Sequence, residues 1–384
     1  MSLSAIFQET RHLMENSLPH VWNWKEQHPG AKLIGCFPVY TPFPLIEAAG
    51  ALPVRLFGAG TSLEIDHADS RIQSFVCSIA RSTLEMGLTG RFSNFDAMVF
   101  PSICDVSKNL SGIWKRNFPD LYVEYLHLPQ NIESPASKKY FLRELQRFQR
   151  GLQELTGKRI TEDTLNITIH DHNENLSLIC RLYSLRAKKP ALLATAELYS
   201  LLRAGAVMTR QEHNRLLNKT LAALEFEPER KQRDCIRVIV EGAFCEQPPL
   251  EFIEVLENAG CYIVDDDFLK GFRWFRSPIP IDPNPLEGLA NHYIEQGAPV
   301  AVRHCGSDRW HDIVERARKL KADGVIFCAA KFCEPAMFDY VLLKQELENA
   351  KIPYLYLEFE EKMTVFDSIR TQIETFVESI LFFN

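Results

Sequence analysis

No apolar run in this 384-residue chain is long and uninterrupted enough to cross a bilayer; the longest candidate, Ala191 to Met208, is broken by Glu197 and Arg203. The segment from Met1 to Trp24 lacks the continuous apolar core of a secretory signal, because Arg11, His12, Glu15 and His20 interrupt it. The expected compartment is therefore the cytoplasm, with no membrane span. Positive charge is not in excess either. Lys and Arg number 43 against 50 Asp and Glu, a net charge of −7, so a broad electrostatic hold on nucleic acid or an anionic membrane is not expected. There is no Gly-x-x-x-x-Gly-Lys-Ser/Thr loop to cradle phosphates, and Gly58-Ala-Gly60 lacks the remaining glycine of a dinucleotide fingerprint. Any ATP or NAD must then be bound by another chain. Close Cys-x-x-Cys pairs, the mark of ferredoxin clusters and zinc ribbons, are missing as well.

What is present is a chain with 46% apolar residues, enough for a sizeable core. Short apolar runs at Leu33–Phe37, Pro53–Phe57, Asp96–Phe100 and Tyr122–Leu126 alternate with helical patterns, the signature of a parallel sheet covered by helices. From about Pro135 to Pro228 the pattern is helical throughout, in Lys138–Leu155, Thr161–Ala187 and Glu197–Leu217. Alternation resumes with strands at Ile236–Glu241, Cys261–Val264, Gly324–Phe327 and Tyr354–Leu357, and a helix over Val365–Leu381 ends the chain. The expected fold is α/β: two Rossmann-like parallel-sheet halves, residues 1–134 and 231–384, with a helical insert or linker at 135–230 and a C-terminal helix. The halves carry a local repeat. Asp96-Ala-Met-Val-Phe-Pro-Ser-Ile-Cys104 parallels Asp323-Gly-Val-Ile-Phe-Cys-Ala-Ala-Lys-Phe-Cys333, each a buried strand and a loop that delivers a cysteine. Ligands of open parallel sheets bind beyond the carboxyl ends of the strands, which is where both cysteines fall.

Ten cysteines are many for a cytosolic chain, in which structural disulfides are not expected. Burial as small apolar residues accounts for Cys180, Cys235 and Cys261. Cys77 reads as a core residue on a helical segment, Ser70–Gly87, whose stripe is Ile72, Phe75, Val76, Ile79 and Ala80. Thiolates gathered from separate segments around a cleft suit an iron–sulfur cluster, and a three-cysteine set leaves one iron open. A nucleophilic cysteine, at Cys104 or Cys245 beside a histidine, lacks any supporting local signature. His304-Cys305 and Asp171-His172 stand without spaced metal-binding partners, and Asp265-Asp266-Asp267 reads as a solvated strand end.

Four segments together resemble the 2-hydroxyacyl-CoA dehydratase and benzoyl-CoA reductase family: Gly35-Cys-Phe-Pro-Val-Tyr-Thr-Pro42, Ala48-Ala-Gly-Ala-Leu-Pro-Val54, Phe100-Pro-Ser-Ile-Cys-Asp-Val106 and Lys331-Phe-Cys-Glu-Pro335. The likeness runs from about Trp24 to the C-terminus. Gly242-Ala-Phe-Cys-Glu-Gln-Pro-Pro and Cys261-Tyr-Ile-Val-Asp-Asp-Asp look most like the smaller cluster-binding subunit of the ATP-dependent reductases. The resemblance implies a [4Fe–4S] cluster on Cys77, Cys104 and Cys333, which makes Cys77 a ligand. It also implies a homologous cluster-binding subunit as partner, an ATP-hydrolysing iron–sulfur activator, ferredoxin as upstream donor and an acyl-CoA substrate. Cys36 and Cys245 follow or end expected strands and could supply or replace a ligand. Tyr40 is the residue expected to contact substrate, and Tyr40, His67 and His127 are the candidate proton donors by residue type. Three activities fit: reduction of the benzoyl-CoA ring to a cyclic diene, radical dehydration of a 2-hydroxyacyl-CoA, and electron relay without substrate contact.

Overall fold

The computed structural model describes residues 2–60, 63–228, 230–242, 245–268, 277–295, 311–360 and 362–383. Helices α1 (Leu3–Glu15) and α2 (Ser17–Gln27) open the chain. The first half then alternates β1 (Lys32–Cys36), α3 (Phe43–Ala48), β2 (Ala51–Arg55), α4 (Ser78–Leu88), β3 (Ala97–Pro101), α5 (Asp105–Asn117) and β4 (Tyr122–Leu126). Four helices follow: α6 (Ser137–Thr156), α7 (Glu162–Lys188), α8 (Thr195–Ala204) and α9 (Arg210–Glu225). The second half contains β5 (Ile236–Glu241), α10 (Leu250–Asn258), β6 (Cys261–Asp266), α11 (Pro285–Glu295), α12 (His311–Leu320), β7 (Gly324–Ala330), α13 (Glu334–Ala350) and β8 (Tyr354–Phe359). Helix α14 (Asp367–Phe383) ends it.

All eight expected strands form, in two parallel sheets of the same order, β2-β1-β3-β4 and β6-β5-β7-β8. Strands β3 and β7 are buried along their whole length, which is why they read as continuous apolar runs rather than alternating ones. In each sheet the order reverses about its first strand. Successive crossovers diverge there, leaving a crevice beyond the ends of β1 and β3 and another beyond β5 and β7. The local repeat is a structural one. Asp96 takes the Leu33 N–H at 2.8 Å and returns its own N–H to the Leu33 carbonyl at 2.9 Å. Asp323 does the same with Arg237, at 2.7 Å in both directions. Leu33 and Arg237 are the second residues of their strands, so the two aspartates hold equivalent positions.

Two local expectations are corrected. The helix expected over Glu197–Leu217 is two, α8 and α9. Gly205 ends the first at a spot where a Cβ would fall 2.4 Å from the His213 ring, and a capping box starts the second: Thr209 takes the Glu212 N–H while the Glu212 carboxylate takes the Thr209 N–H. Asp265, Asp266 and Asp267 are not a solvated strand end. All three are buried: Asp266 pairs with Arg186 at 2.8 Å and accepts the Tyr183 hydroxyl, Asp265 pairs with Arg316 at 2.6 Å, and Asp267 accepts the Gly242 N–H at 3.1 Å. A buried carboxylate is tolerable only when so matched.

The middle helices together touch both halves. Helix α7 packs on α3 and on β6, and α6 packs on β4 and on α11. One continuous apolar cluster accordingly includes Leu33 and Phe100 of the first half with Val238 and Ile326 of the second. Among the described residues, no helix is long and apolar enough to cross a membrane.

Candidate functional site

Strand β3 ends at Pro101, and the chain turns sharply, with the Ile103 N–H on the Pro101 carbonyl at 2.8 Å and the Ser107 hydroxyl donating to the same oxygen at 2.7 Å. That turn makes Cys104 the N-cap of α5, its sulfur accepting the Ser107 N–H at 3.4 Å. Strand β7 runs two residues longer than β3, and a turn after it makes Cys333 the N-cap of α13. Phe332, just before this cysteine, sits at φ 63°, a left-handed conformation that a bulky side chain rarely adopts and that surrounding structure must enforce. The third cysteine departs from its expected setting. Helix α4 begins at Ser78, so Cys77 lies before it as N-cap rather than on its apolar stripe, and Phe75 of that stripe is 66% exposed.

Three helices thus start at three cysteines, and the three meet. Cys77, Cys104 and Cys333 line one cavity with Phe37, Asp105, Val106, Cys245, Glu246, Phe332, Glu334 and Pro335. Burial first, then the neighbouring Cys333, Glu246 and Cys104, push the Cys77 thiol well above its ordinary pKa; burial raises Cys104 too. Loading a metal must therefore displace protons from these thiols, and the helix N-termini favour the anions that result. Among the described residues, no three His, Cys, Asp or Glu side chains gather tightly enough for a single metal ion. Soft sulfur donors around one cavity are the donor chemistry that an iron–sulfur cluster takes.

Glu246 is the residue that sequence reasoning did not single out. It is 1% exposed, and its carboxylate takes the Ser78 hydroxyl and the Ile79 N–H at 3.1 Å, clamping the loop after β5 onto the helix that Cys77 caps. The signal was its place in the Cys-Glu-Gln-Pro-Pro segment. Beside the cavity, sharing Cys104, Asp105, Glu334 and Pro335, opens an outer cleft of about 740 Å³ that reaches Lys108, Tyr125, His127, Tyr140 and Phe338. Of the expected proton donors only His127 lies there. Tyr40 is fully buried at φ 63° after β1 and does not line the cavity or this cleft, and His67 is exposed and bound to Glu85 at 2.7 Å. Cys36 ends β1 with its thiol on the Ile34 carbonyl, away from the cavity wall. His172 is bound to Glu47 at 2.9 Å, and His304 and Cys305 lie outside the described residues.

A family model for the 2-hydroxyglutaryl-CoA dehydratase D-component matches residues 38–380. The chain belongs to this family. It is 40% identical to a benzoyl-CoA reductase subunit of Thauera aromatica over 93% of both chains. It is 29% identical to the (R)-phenyllactyl-CoA dehydratase beta subunit of Clostridium sporogenes, over 97% of this chain and 98% of that one. The lactoyl-CoA dehydratase beta subunit of Anaerotignum propionicum is 24% identical over 98% of this chain and 99% of its own. The family therefore contains both reductase and dehydratase subunits, and this chain is an enzyme subunit of that family.

Proposed function

We propose that this chain is the iron–sulfur subunit of a benzoyl-CoA reductase, in which low-potential electrons reach the ring of benzoyl-CoA or a substituted analogue to give a cyclic dienoyl-CoA, with ATP hydrolysed on separate subunits. The observation that carries this reading is the convergence of three helix-capping cysteines on one cavity, in a chain 40% identical to a benzoyl-CoA reductase subunit. A [4Fe–4S] cluster held by Cys77, Cys104 and Cys333 would supply single-electron chemistry at that point. The chain's own residues do the rest. Three helix N-termini stabilise thiolate charge, and Phe37, Val106, Phe332 and Pro335 supply the apolar part of the chamber wall. The outer cleft is of a size that holds small ligands, and it presents His127 and Tyr125 as groups with exchangeable protons; burial raises the Tyr125 pKa and so favours its protonated form.

Partners enter the same reading: a homologous cluster-binding subunit, an ATP-hydrolysing iron–sulfur activator, and ferredoxin upstream. Phe332, Met337, Phe338, Val341 and Leu342 leave an exposed apolar surface around Cys333, which supports coverage by another protein. The dehydratase relatives keep a 2-hydroxyacyl-CoA lyase as the second reading. Reductant stoichiometry separates the two, since a reductase consumes electrons in every turnover and a dehydratase recycles its electron.

The deciding experiment is iron and acid-labile sulfide analysis of the anaerobically purified chain beside a variant with Cys77, Cys104 and Cys333 all changed to Ala. About four of each per chain, lost in the variant, is the expected result. No iron after anoxic reconstitution of the wild type would sink the assignment.

A further inference from the structure

The cavity holds one sulfur more than a three-cysteine ligand set uses. We propose that Cys245 supplies a fourth thiolate to the cluster, so that no iron in this chain is left open to substrate. The inference rests on the cluster reading above and deepens it.

Cys245 is 5% exposed and lines the same cavity as Cys77, Cys104 and Cys333. Its place follows from topology: β5 and β7 are neighbours at the point where the strand order reverses, so the loop after β5 and the turn after β7 open onto one crevice. Described residues near Cys245 have fixed partners. Upstream, Gly242 donates its N–H to the buried Asp267 at 3.1 Å. Downstream, Glu246 is clamped to Ser78 and Ile79, and the Pro248 carbonyl accepts the Tyr199 hydroxyl at 2.9 Å. Fixed partners on these described neighbours narrow the space open to the Cys245 sulfur on the cavity wall, which favours a ligand role.

The other donors on the cavity wall compete poorly. Glu246 has one carboxylate oxygen on Ser78 and the other on Ile79. Asp105 and Glu334 are exposed at the first turns of α5 and α13, and all three acids offer hard oxygen where such iron takes soft sulfur. In the ligation step the Cys245 S–H bond breaks and an Fe–S bond forms. The proton leaves to solvent, an exchangeable water leaves the iron, and no oxidation state changes. With four thiolates the subunit passes electrons without binding the thioester to its iron, and any step that needs iron–substrate contact falls to a partner chain.

The test uses the full-length chain reconstituted anaerobically with ⁵⁷Fe, as wild type, Cys245→Ala and Cys245→Ser. Mössbauer spectra, EPR spectra of the reduced protein with and without cyanide, and iron content after mild ferricyanide oxidation are recorded. The wild type should ignore cyanide and keep its iron, whereas Cys245→Ala should show a cyanide-shifted EPR spectrum and lose about one iron in four. Cys245→Ser should retain its irons with an altered spectrum, because oxygen replaces sulfur at one of them. A wild type whose four-iron spectrum shifts with cyanide, or a Cys245→Ser spectrum identical to wild type, overturns this inference alone. A wild type that holds no iron overturns the cluster reading and this inference together.

Discussion

In the first half, the loop after β1 brings Phe37 to the cavity and the turn after β3 brings Cys104; in the second half, the corresponding segments after β5 and β7 bring Cys245 and Cys333. The strand order is the same, and Asp96 and Asp323 register the sheets in the same way. What differs is the material at the strand ends. The first half places an aromatic ring where the second places a thiol, and recovers a sulfur from outside the repeat, through Cys77 at the start of α4. A duplicated scaffold thus fixes where loops open, and single residues on those loops decide whether an aromatic ring or a thiol arrives there. The ion pairs that brace the two halves also differ in burial. Its strand β6 ends in the buried Arg186–Asp266 pair, while the Lys25 and Lys32 partners of Asp96 in the first half are part-exposed.

The largest expected effect tests that bracing. Asp266→Asn strips the countercharge from Arg186, both side chains being 1% exposed, and should cost about 3–5 kcal/mol in anaerobic urea unfolding. A loss below about 1 kcal/mol, the range of exposed pairs, would remove the contrast between the halves. Next comes the clamp between them. Glu246→Ala leaves the Ile79 N–H without that acceptor, costs roughly 1–3 kcal/mol, and should speed iron loss from the reconstituted chain, with Glu246→Gln intermediate. Unchanged iron retention in both variants would mean that the loop after β5 is held without Glu246. The smallest effect belongs to Asp96→Asn, about 1 kcal/mol at neutral pH. Burial opposes ionisation of Asp96, yet hydrogen bonds from Lys25, the Leu33 N–H and Lys32 outweigh it and hold the carboxyl below its usual range. Its contribution is therefore complete above the unfolded value of about 3.9 and is lost as pH falls through the lower folded value. Urea midpoints of wild type and variant should converge over that acid interval, and a constant gap would assign the stabilisation to something other than charge.

Much of the fold was legible because it rests on local pattern. Buried parallel strands favour apolar runs, and the eight runs found in sequence are the eight strands of the described residues, within a few residues at their ends. The division at Gly205 was legible in principle, through a glycine followed by Thr209-x-x-Glu212, but an apolar helical pattern on both sides concealed it. The acidic triplet misled for the opposite reason. Charge in sequence reads as exposure, and the arginines that make burial tolerable, Arg186 and Arg316, lie 79 or more and 49 or more residues away in the chain.

For the site, the strand-end positions of Cys104 and Cys333 followed from the alternating pattern, since a residue just past a buried strand has few places to go. The role assigned to Cys77 came from family resemblance, as no periodicity marks a helix N-cap cysteine as different from a core one. That three helix starts converge, that Glu246 ties two of the contributing loops together, and that Cys245 joins the wall while Cys36 and Tyr40 do not, were decided by tertiary structure alone. Sequence by itself determined the elements and their order, because backbone hydrogen bonding and burial act through near neighbours. Which sulfurs share a cavity depends on how two sheets and the helices between them pack, and contacts between residues more than a hundred positions apart leave no local trace.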